Sequence, residues 1–190
     1  VQTAYNQGVD ISERYCNVPG EVNSYSIFAV ACAEVHLDVL TGQFLVERAD
    51  ILQDAGTSIS PLVDIGQIEG AWVMGQGLFT CEQVKFDPTT GERLSQDTWN
   101  YKIPTGLDIP VDFRVEMLSN TPNPIGVKSS KVTGEPPLCL SYSVALALRQ
   151  AVTSAKADRG VTGWFRMDTP LTIEKIQQHC IVDPTQFTFT

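Results

Sequence analysis

Residues 26–54 read SIFAVACAEVHLDVLTGQFLVERADILQD. From Ala33 to Val39 apolar residues occupy the odd positions and polar residues the even ones, which is the period of a strand with one buried face. Thr41-Gly42 is suited to a tight turn, and a second apolar-rich segment follows at 43–52. The pattern predicts a long β-hairpin over 26–54. Its second strand supplies side chains expected in the core, namely Phe44, Val46, Ile51 and Leu52.

Downstream of the hairpin, residues 64–84 carry apolar side chains spaced three and four apart, which is typical of a buried helix. Four glycines interrupt it: Gly66, Gly70, Gly75 and Gly77. Each glycine destabilises a helix interior by about 1 kcal/mol relative to alanine. We therefore expect this helix backbone to approach another helix, a strand or a ligand closely.

The rest of the chain alternates between turns, one strand and helices. Residues 86–91 (FDPTTG) predict a hairpin tip, and Asp112–Leu118 predicts a strand. A long amphipathic helix is expected after Pro136-Pro137, ending at Arg159-Gly160, and a last helix at Thr172–Cys180. The predicted fold is mixed α/β of the α+β type, with long β-hairpins and helices packed on them.

The composition and net charge of the chain argue against two classes of function. The 190 residues include 13 Lys and Arg against 22 Asp and Glu, a formal net charge of −9. This balance argues against a nucleic-acid surface and against binding to anionic membranes. No segment reaches the roughly 20 apolar residues of a membrane helix, and no signal peptide is visible. We divide the chain into a polar N-terminal loop segment at 1–25, a folded body at 26–182 and a tail at 183–190.

Cysteine and histidine usage argues against a protein-ligated metal. The five cysteines show no CxxC spacing, so an iron–sulfur or zinc site within this chain is not expected. We predict free, mostly buried thiols in a reducing compartment, with the cytoplasm fitting best. The two histidines are expected to be a partly exposed strand residue, His36, and a structural residue, His179.

Glu135 is the first candidate for chemistry. It lies between Gly134 and two prolines, at the start of a predicted helix. The helix dipole favours an ionised carboxylate there, and a rigidly held carboxylate is suited to act as a general base. A simple helix-capping acid would occupy the same position, so the residues alone leave both interpretations open.

Gln67 is the second candidate. It lies in the glycine-rich segment VDIGQIEG (63–70), and its amide can donate to and accept from a heterocycle or a phosphate. The alternative is a helix position that simply faces solvent. The loop Ser129-Ser130-Lys131 carries hydroxyls and a cation that can bind an anion, or it is an ordinary polar loop.

Several ordered motifs resemble one family. They are VDIGQIEGAWVMGQGLFT (63–80), NYKIP (100–104), FRV (113–115) and SSKVTGEPPL (129–138), supported by AVACAEVHLDVLTGQF (29–44) and DTPLTIEKI (168–176). Together they resemble the xanthine dehydrogenase / aldehyde oxidase family of molybdenum hydroxylases. The resemblance covers nearly all of residues 26–180 and corresponds to the C-terminal part of the molybdopterin-binding region.

The resemblance implies roles for both candidates. Glu135 corresponds to the active-site base, which takes a proton from a hydroxyl at molybdenum as water-derived oxygen reaches the substrate carbon and hydride passes to a sulfido group. Gln67 corresponds to the glutamine that contacts the molybdopterin. The family implies no protein ligand to molybdenum, because the pterin dithiolene holds the metal. It also implies two 2Fe–2S clusters and FAD outside this chain, in a cytoplasmic homodimer.

Fewer residues distinguish one member of this family from another. Thr133, Leu138–Leu140 and the tract 99–102 look closer to aldehyde oxidases, which implies oxidation of aldehydes to carboxylic acids and of some N-heterocycles. The alternatives are a xanthine dehydrogenase/oxidase acting on hypoxanthine and xanthine, or a non-catalytic binding or dimerisation module of the same fold. An unrelated α+β binding domain is a weaker third possibility. Because other cofactor and substrate contacts lie upstream in the family, the chain alone is expected to be inactive.

Overall fold

The fold contains one small sheet and a set of helices. The structure is a computed structural model that describes residue 3, residues 6–8 and residues 24–181. Within these ranges the sheet has three strands in the order β1-β2-β3, which are Ala29–Leu37, Phe44–Gln53 and Asp112–Met117. The helices of residues 24–181 are α1 (Pro61–Thr80), α2 (Glu135–Leu140), α3 (Tyr142–Ala157) and α4 (Ile173–His179), with a short 3₁₀ turn at Val127–Ser129. The predicted mixed α/β fold is confirmed.

The predicted hairpin is formed by β1 and β2, which pair antiparallel. Along β1 half-buried and exposed residues alternate. In the turn, the Asp38 carboxylate accepts hydrogen bonds from Leu40 N at 2.9 Å and from Thr41 Oγ1 at 2.8 Å. Gly42 has φ +78°, a left-handed conformation that glycine adopts without a Cβ penalty.

A β-bulge changes which side chains of β2 reach the core. Glu34 pairs with Arg48 whereas Val35 pairs with Val46, so Glu47 is the extra residue. As a result Val46 and Ile51 are both buried, as predicted. The prediction for Leu52 is wrong, because this residue is half-buried and lines a depression on the outer face of the sheet.

The glycine-rich helix is confirmed with shifted ends. It begins at Pro61 and ends at Thr80 rather than spanning 64–84, since proline is favoured in a first helical turn. Trp72 of this helix is fully buried, and its ring packs on Phe113 of β3 at a centroid distance of 5.2 Å. The core forms where this helix and α3 cover the inner face of the sheet.

The third strand pairs parallel with β2, from Arg48↔Asp112 to Gln53↔Met117. The sequence predicted the strand but not its partner or direction. Parallel neighbours require a long crossover connection, which α1 and the loop 81–111 provide. Within that loop, Phe86 and Arg93 form an isolated bridge around the predicted turn.

The helix expected after Pro136 is divided in two. Ser141 ends α2, is fully buried, and donates its hydroxyl to Leu138 O at 2.7 Å. The predicted apolar stripe continues in α3, where Val144, Leu148 and Val152 are buried. The last helix lies within its predicted range, with Thr172 as its N-cap.

The described cysteines are free, but the prediction that most are buried is wrong. Of the four, Cys180 is buried, Cys81 is half-buried, and Cys32 and Cys139 are exposed. Cys32 lies on the outer face of β1 and Cys139 on the open side of α2, where the sheet and helix faces are not covered. No helix among the described residues is long and apolar enough to cross a membrane. Cys16, most of the proposed N-terminal segment (residues 9–23) and the proposed tail at 183–190 lie outside the described residues.

Candidate active site

A cleft of about 570 Å³ separates α1 from the segment that leads into α2. Gln67 lines one wall and Glu135 the other. The two residues come from separate motifs, and both are exposed to the cleft side of the molecule. The fold therefore brings the two candidates predicted from sequence to one concave surface.

Gln67 lies in the second turn of α1. A Cβ placed on Gly134 would lie 3.2 Å from Gln67 Oε1, so the amide packs against the residue that precedes Glu135. Glycine at 134 leaves room for this contact. Among residues 24–181, the Gln67 amide has no hydrogen-bond partner, so it is available to a ligand in the cleft.

Glu135 is the first residue of α2, a helix of only six residues. Pro136 and Pro137 follow it, and proline has no N–H to offer. The expected stabilisation by a helix dipole is therefore small. Rigidity is the better explanation for its placement, because proline fixes φ and Pro137 is fully buried.

Two glycines of α1 allow close packing, one against α2 and the other against the loop 81–111. A Cβ on Gly75 would collide with Leu138 O and Ser141 Oγ, and a Cβ on Gly77 would collide with Pro104. Gly75 thus lets the backbone of α1 pack directly against Leu138 and Ser141 at the end of α2. This contact sets the spacing between the helix that carries Gln67 and the helix that carries Glu135.

The other two glycines face open space. Among the described residues, no heavy atom lies within 4 Å of a Cβ added to Gly66 or Gly70, and both glycines line the cleft. A ligand can approach the α1 backbone at these positions more closely than any side chain would allow. The donor-bearing amide of Gln67 and this bare stretch of helix fit a flat, polar ring system.

Lys131, suggested by sequence as part of an anion-binding loop, is already paired with an acidic side chain of the same chain. Its ammonium forms an ion pair with the buried Asp54 carboxylate and donates to Ser26 O at 2.9 Å. Burial raises the pKa of Asp54, but hydrogen bonds from Lys131, Gly56 N–H and Thr121 outweigh it, so the pKa is lowered overall. The loop is therefore held by internal pairs rather than open to an anion.

Sequence reasoning missed Gln53 and Asp54, which are fully buried at the end of β2. Gln53 Nε2 donates to Thr133 O at 3.0 Å. The signal was a pair of polar residues at the end of a strand whose inner face is apolar. Such residues stay buried only with partners.

A second, apolar cavity of about 810 Å³ adjoins the cleft and shares Gly66 and Gly70 with it. Its other walls include Val73, Met74 and Phe113. The amino-terminal half of α1 is thus open on both sides.

Comparison of the sequence with known proteins identifies the family of this chain. The sequence matches the molybdopterin cofactor-binding domain over residues 1–110. It is 44% identical over 179 residues to xanthine dehydrogenase/oxidase of Gallus gallus, covering 94% of this chain and 13% of that protein. It is 40% identical over 178 residues to aldehyde oxidase 3 of Mus musculus, with the same coverage of 94% and 13%. The chain therefore spans about an eighth of the length of these relatives.

Solved structures share the fold. Quinoline 2-oxidoreductase from Pseudomonas putida 86 superposes with a TM-score of 0.65 at 30% identity, covering 79% of this chain and 18% of that chain. CO dehydrogenase from Oligotropha carboxidovorans gives a TM-score of 0.68 at 21% identity, covering 80% and 18%, and shows the fold alone. The chain therefore belongs to the molybdopterin cofactor-binding domain family, within the xanthine dehydrogenase / aldehyde oxidase group of molybdenum hydroxylases.

Proposed function

We propose that this chain forms one wall of the active site of a molybdenum hydroxylase that oxidises aldehydes to carboxylic acids with oxygen from water. Glu135 is the general base and Gln67 binds the cofactor. One observation carries the proposal: both residues line a single cleft, beside a helix face left bare by Gly66 and Gly70.

The residues present fit a molybdopterin. Gln67 offers an amide without a hydrogen-bond partner in the described part of the chain, which suits the donor and acceptor edge of a pterin. Gly66 and Gly70 would let the ring system lie close to the α1 backbone. When bound, the cofactor supplies the two-electron redox chemistry, and the protein supplies binding and orientation.

Glu135 has the features needed to move a proton at this position. A carboxylate accepts hydrogen bonds through both oxygens, so it can hold the water-derived nucleophile and take its proton at Oε as the bond to the substrate carbon forms. Buried Pro137 limits motion of the backbone that carries it, and this lowers the reorganisation needed to reach reactive geometry. Val132 and Leu138 line the same cleft.

The second candidate is a xanthine dehydrogenase/oxidase acting on hypoxanthine and xanthine. The 44% identity to the Gallus gallus protein favours it, and the same two residues would serve. The aldehyde assignment rests on the tracts around Thr133 and Trp99, and the relatives include both types at similar identity. Relative kcat/KM for aldehydes and for xanthine on the full-length protein decides between the two.

Substitution of Glu135 in the full-length protein tests the central claim. We expect Glu135→Gln to lower kcat by at least about 10²-fold, since proton transfer by a positioned group contributes about 10²–10⁴-fold. Glu116→Gln, on the exposed face of β3, is the matched control and should keep normal turnover. Near-normal turnover of Glu135→Gln with unchanged molybdenum content would refute the proposal. Purified wild-type protein that lacks molybdenum would instead support the non-catalytic module.

We extend the proposal to the full-length protein, on the resemblance alone. Two 2Fe–2S clusters and FAD, a homodimer and a cytoplasmic location are expected there. Iron and flavin analysis together with sedimentation tests this, and purified full-length protein without iron or as a monomer would contradict it.

A further inference from the structure

The segment 129–134, which leads into Glu135, is attached to the chain that follows β2. Thr57 N donates to Ser129 O at 2.8 Å, and Lys131 N donates to Ala55 O at 3.0 Å. These backbone hydrogen bonds form a short antiparallel contact. The approach to the proposed base is thereby fixed to the sheet rather than free in solvent.

Side chains reinforce the same attachment through a buried ion pair. The Asp54 side chain is 2% exposed and that of Lys131 is 10% exposed, whereas side chains in the other ion pairs among the described residues are at least 40% exposed. Removing two charges from water offsets much of their attraction. A buried pair at this place is therefore weak evidence for a stability role and points to a need for fixed geometry.

Gln53 supports the same loop through a side-chain hydrogen bond. Its Nε2 donates to Thr133 O at 3.0 Å, while its Oε1 is buried without a partner among the described residues. An apolar residue of similar size at this position would lose the hydrogen bond to Thr133 O. The single hydrogen bond to Thr133 is what this glutamine provides.

The loop then meets the other wall of the cleft. Gly134 follows Thr133 and lies against the Gln67 amide, and Glu135 is the next residue. A displacement of the loop relative to β2 therefore moves Glu135 relative to Gln67. Misplacement of a reacting group by 1 Å lowers turnover by about 10²-fold.

We propose that three buried side chains are positioning residues for Glu135, namely Gln53, Asp54 and Lys131. They hold the loop so that the carboxylate stands across the cleft from Gln67. This inference rests on the proposed role of Glu135. The three residues act through the backbone of 131–134 and take no part in proton transfer.

The experiment uses the full-length, molybdenum-loaded protein. We expect Lys131→Met and Gln53→Met each to lower kcat by about 10- to 100-fold, with KM changed by less than about threefold and molybdenum content unchanged. Lys131→Arg keeps the charge and should restore most of kcat. Arg114→Gln, which removes an exposed ion pair with Asp112, is the matched control and should behave as wild type. Single-turnover reduction by substrate under anaerobic conditions assigns the change to the chemical step.

The outcomes separate this inference from the proposed function. Normal turnover of Glu135→Gln would refute both. Loss of turnover in Glu135→Gln together with wild-type kcat in Lys131→Met and Gln53→Met would overturn only the positioning role. A parallel fall in molybdenum content and kcat, or no rescue by Lys131→Arg, would also overturn it, because both indicate a merely structural role. If Lys131→Met fails to fold, Gln53→Met decides, since it buries no unpaired charge.

Discussion

Two glycines of α1 should respond in opposite ways to the same substitution. Gly70→Ala adds a methyl group where no heavy atom of the described residues lies within 4 Å, so we expect only helix propensity to change. Alanine is better than glycine in a helix interior by about 1 kcal/mol. We expect the free energy of unfolding to rise by about that amount, which corresponds to about 2–4 °C in Tm for a chain of this size.

Gly75→Ala places the same methyl group against Leu138 O and Ser141 Oγ. The new carbon would lie about 1 Å closer to that backbone oxygen than an ordinary C···O contact of about 3.3 Å. Overpacking of this kind costs about 1–3 kcal/mol, which exceeds or cancels the propensity gain of about 1 kcal/mol. The net change is therefore zero to about 2 kcal/mol of destabilisation.

Urea unfolding of the 190-residue chain measures both effects. Tryptophan fluorescence reports loss of the core, because Trp72 is buried against Phe113 whereas Trp99 and Trp164 are exposed in the folded chain. In the full-length protein, Gly70→Ala should also lower molybdenum content, because the methyl group occupies the bare face of α1. Stabilisation by Gly75→Ala, or destabilisation by Gly70→Ala, would refute the assignment of one glycine to helix packing and the other to an open cleft. Full molybdenum content in Gly70→Ala would refute the cofactor part.

Two further predictions concern stability. Asp54 has a lowered pKa in the folded chain, so its contribution is present above its unfolded pKa of about 3.9 and is lost as pH falls through the lower folded value. The difference in unfolding free energy between wild type and Asp54→Asn should therefore shrink below about pH 4, and a constant difference from about pH 7 to pH 3 in urea titrations would contradict this. Trp72→Ala, at a fully buried position, should destabilise the chain by about 3–5 kcal/mol, and a loss below about 1 kcal/mol in the same titrations would show that Trp72 is not central to the core.

Local sequence patterns predicted the elements better than their arrangement. The alternation in 33–39 and the apolar stripe of α3 are local signals, and both elements formed as expected. The parallel partner of β3 is set by a crossover of the whole chain, which no local period encodes. The side-chain direction of Leu52 depends on a bulge at Glu47, and the break at Ser141 lies where α2 packs against Gly75.

The site shows the same division. Gln67 and Glu135 could be named as candidates because each lies in a contiguous motif, and the fold brings both to one cleft. For Lys131 the sequence left an anion-binding loop and an ordinary polar loop both open, because its partner Asp54 is 77 residues away in sequence. Burial and pairing of such residues follow from the tertiary fold, and a single sequence does not display them.

The parallel pairing of β2 with β3 also constrains how the nascent chain is assembled. β2 ends at residue 53 and β3 at residue 117. After β2 is complete, 64 further residues (117 − 53) must therefore leave the ribosome before the free edge of β2 can pair with β3 along its whole length. At about 5–20 residues per second this takes about 3–13 s, far longer than the microseconds in which a hairpin closes. During that interval the β1–β2 hairpin exposes the apolar side chains of Ala49 and Ile51. It also leaves the backbone of one edge strand unpaired, and such an edge is a template for intermolecular association. Chaperone demand during synthesis should therefore concentrate on the window between translation of the hairpin and translation of Met117.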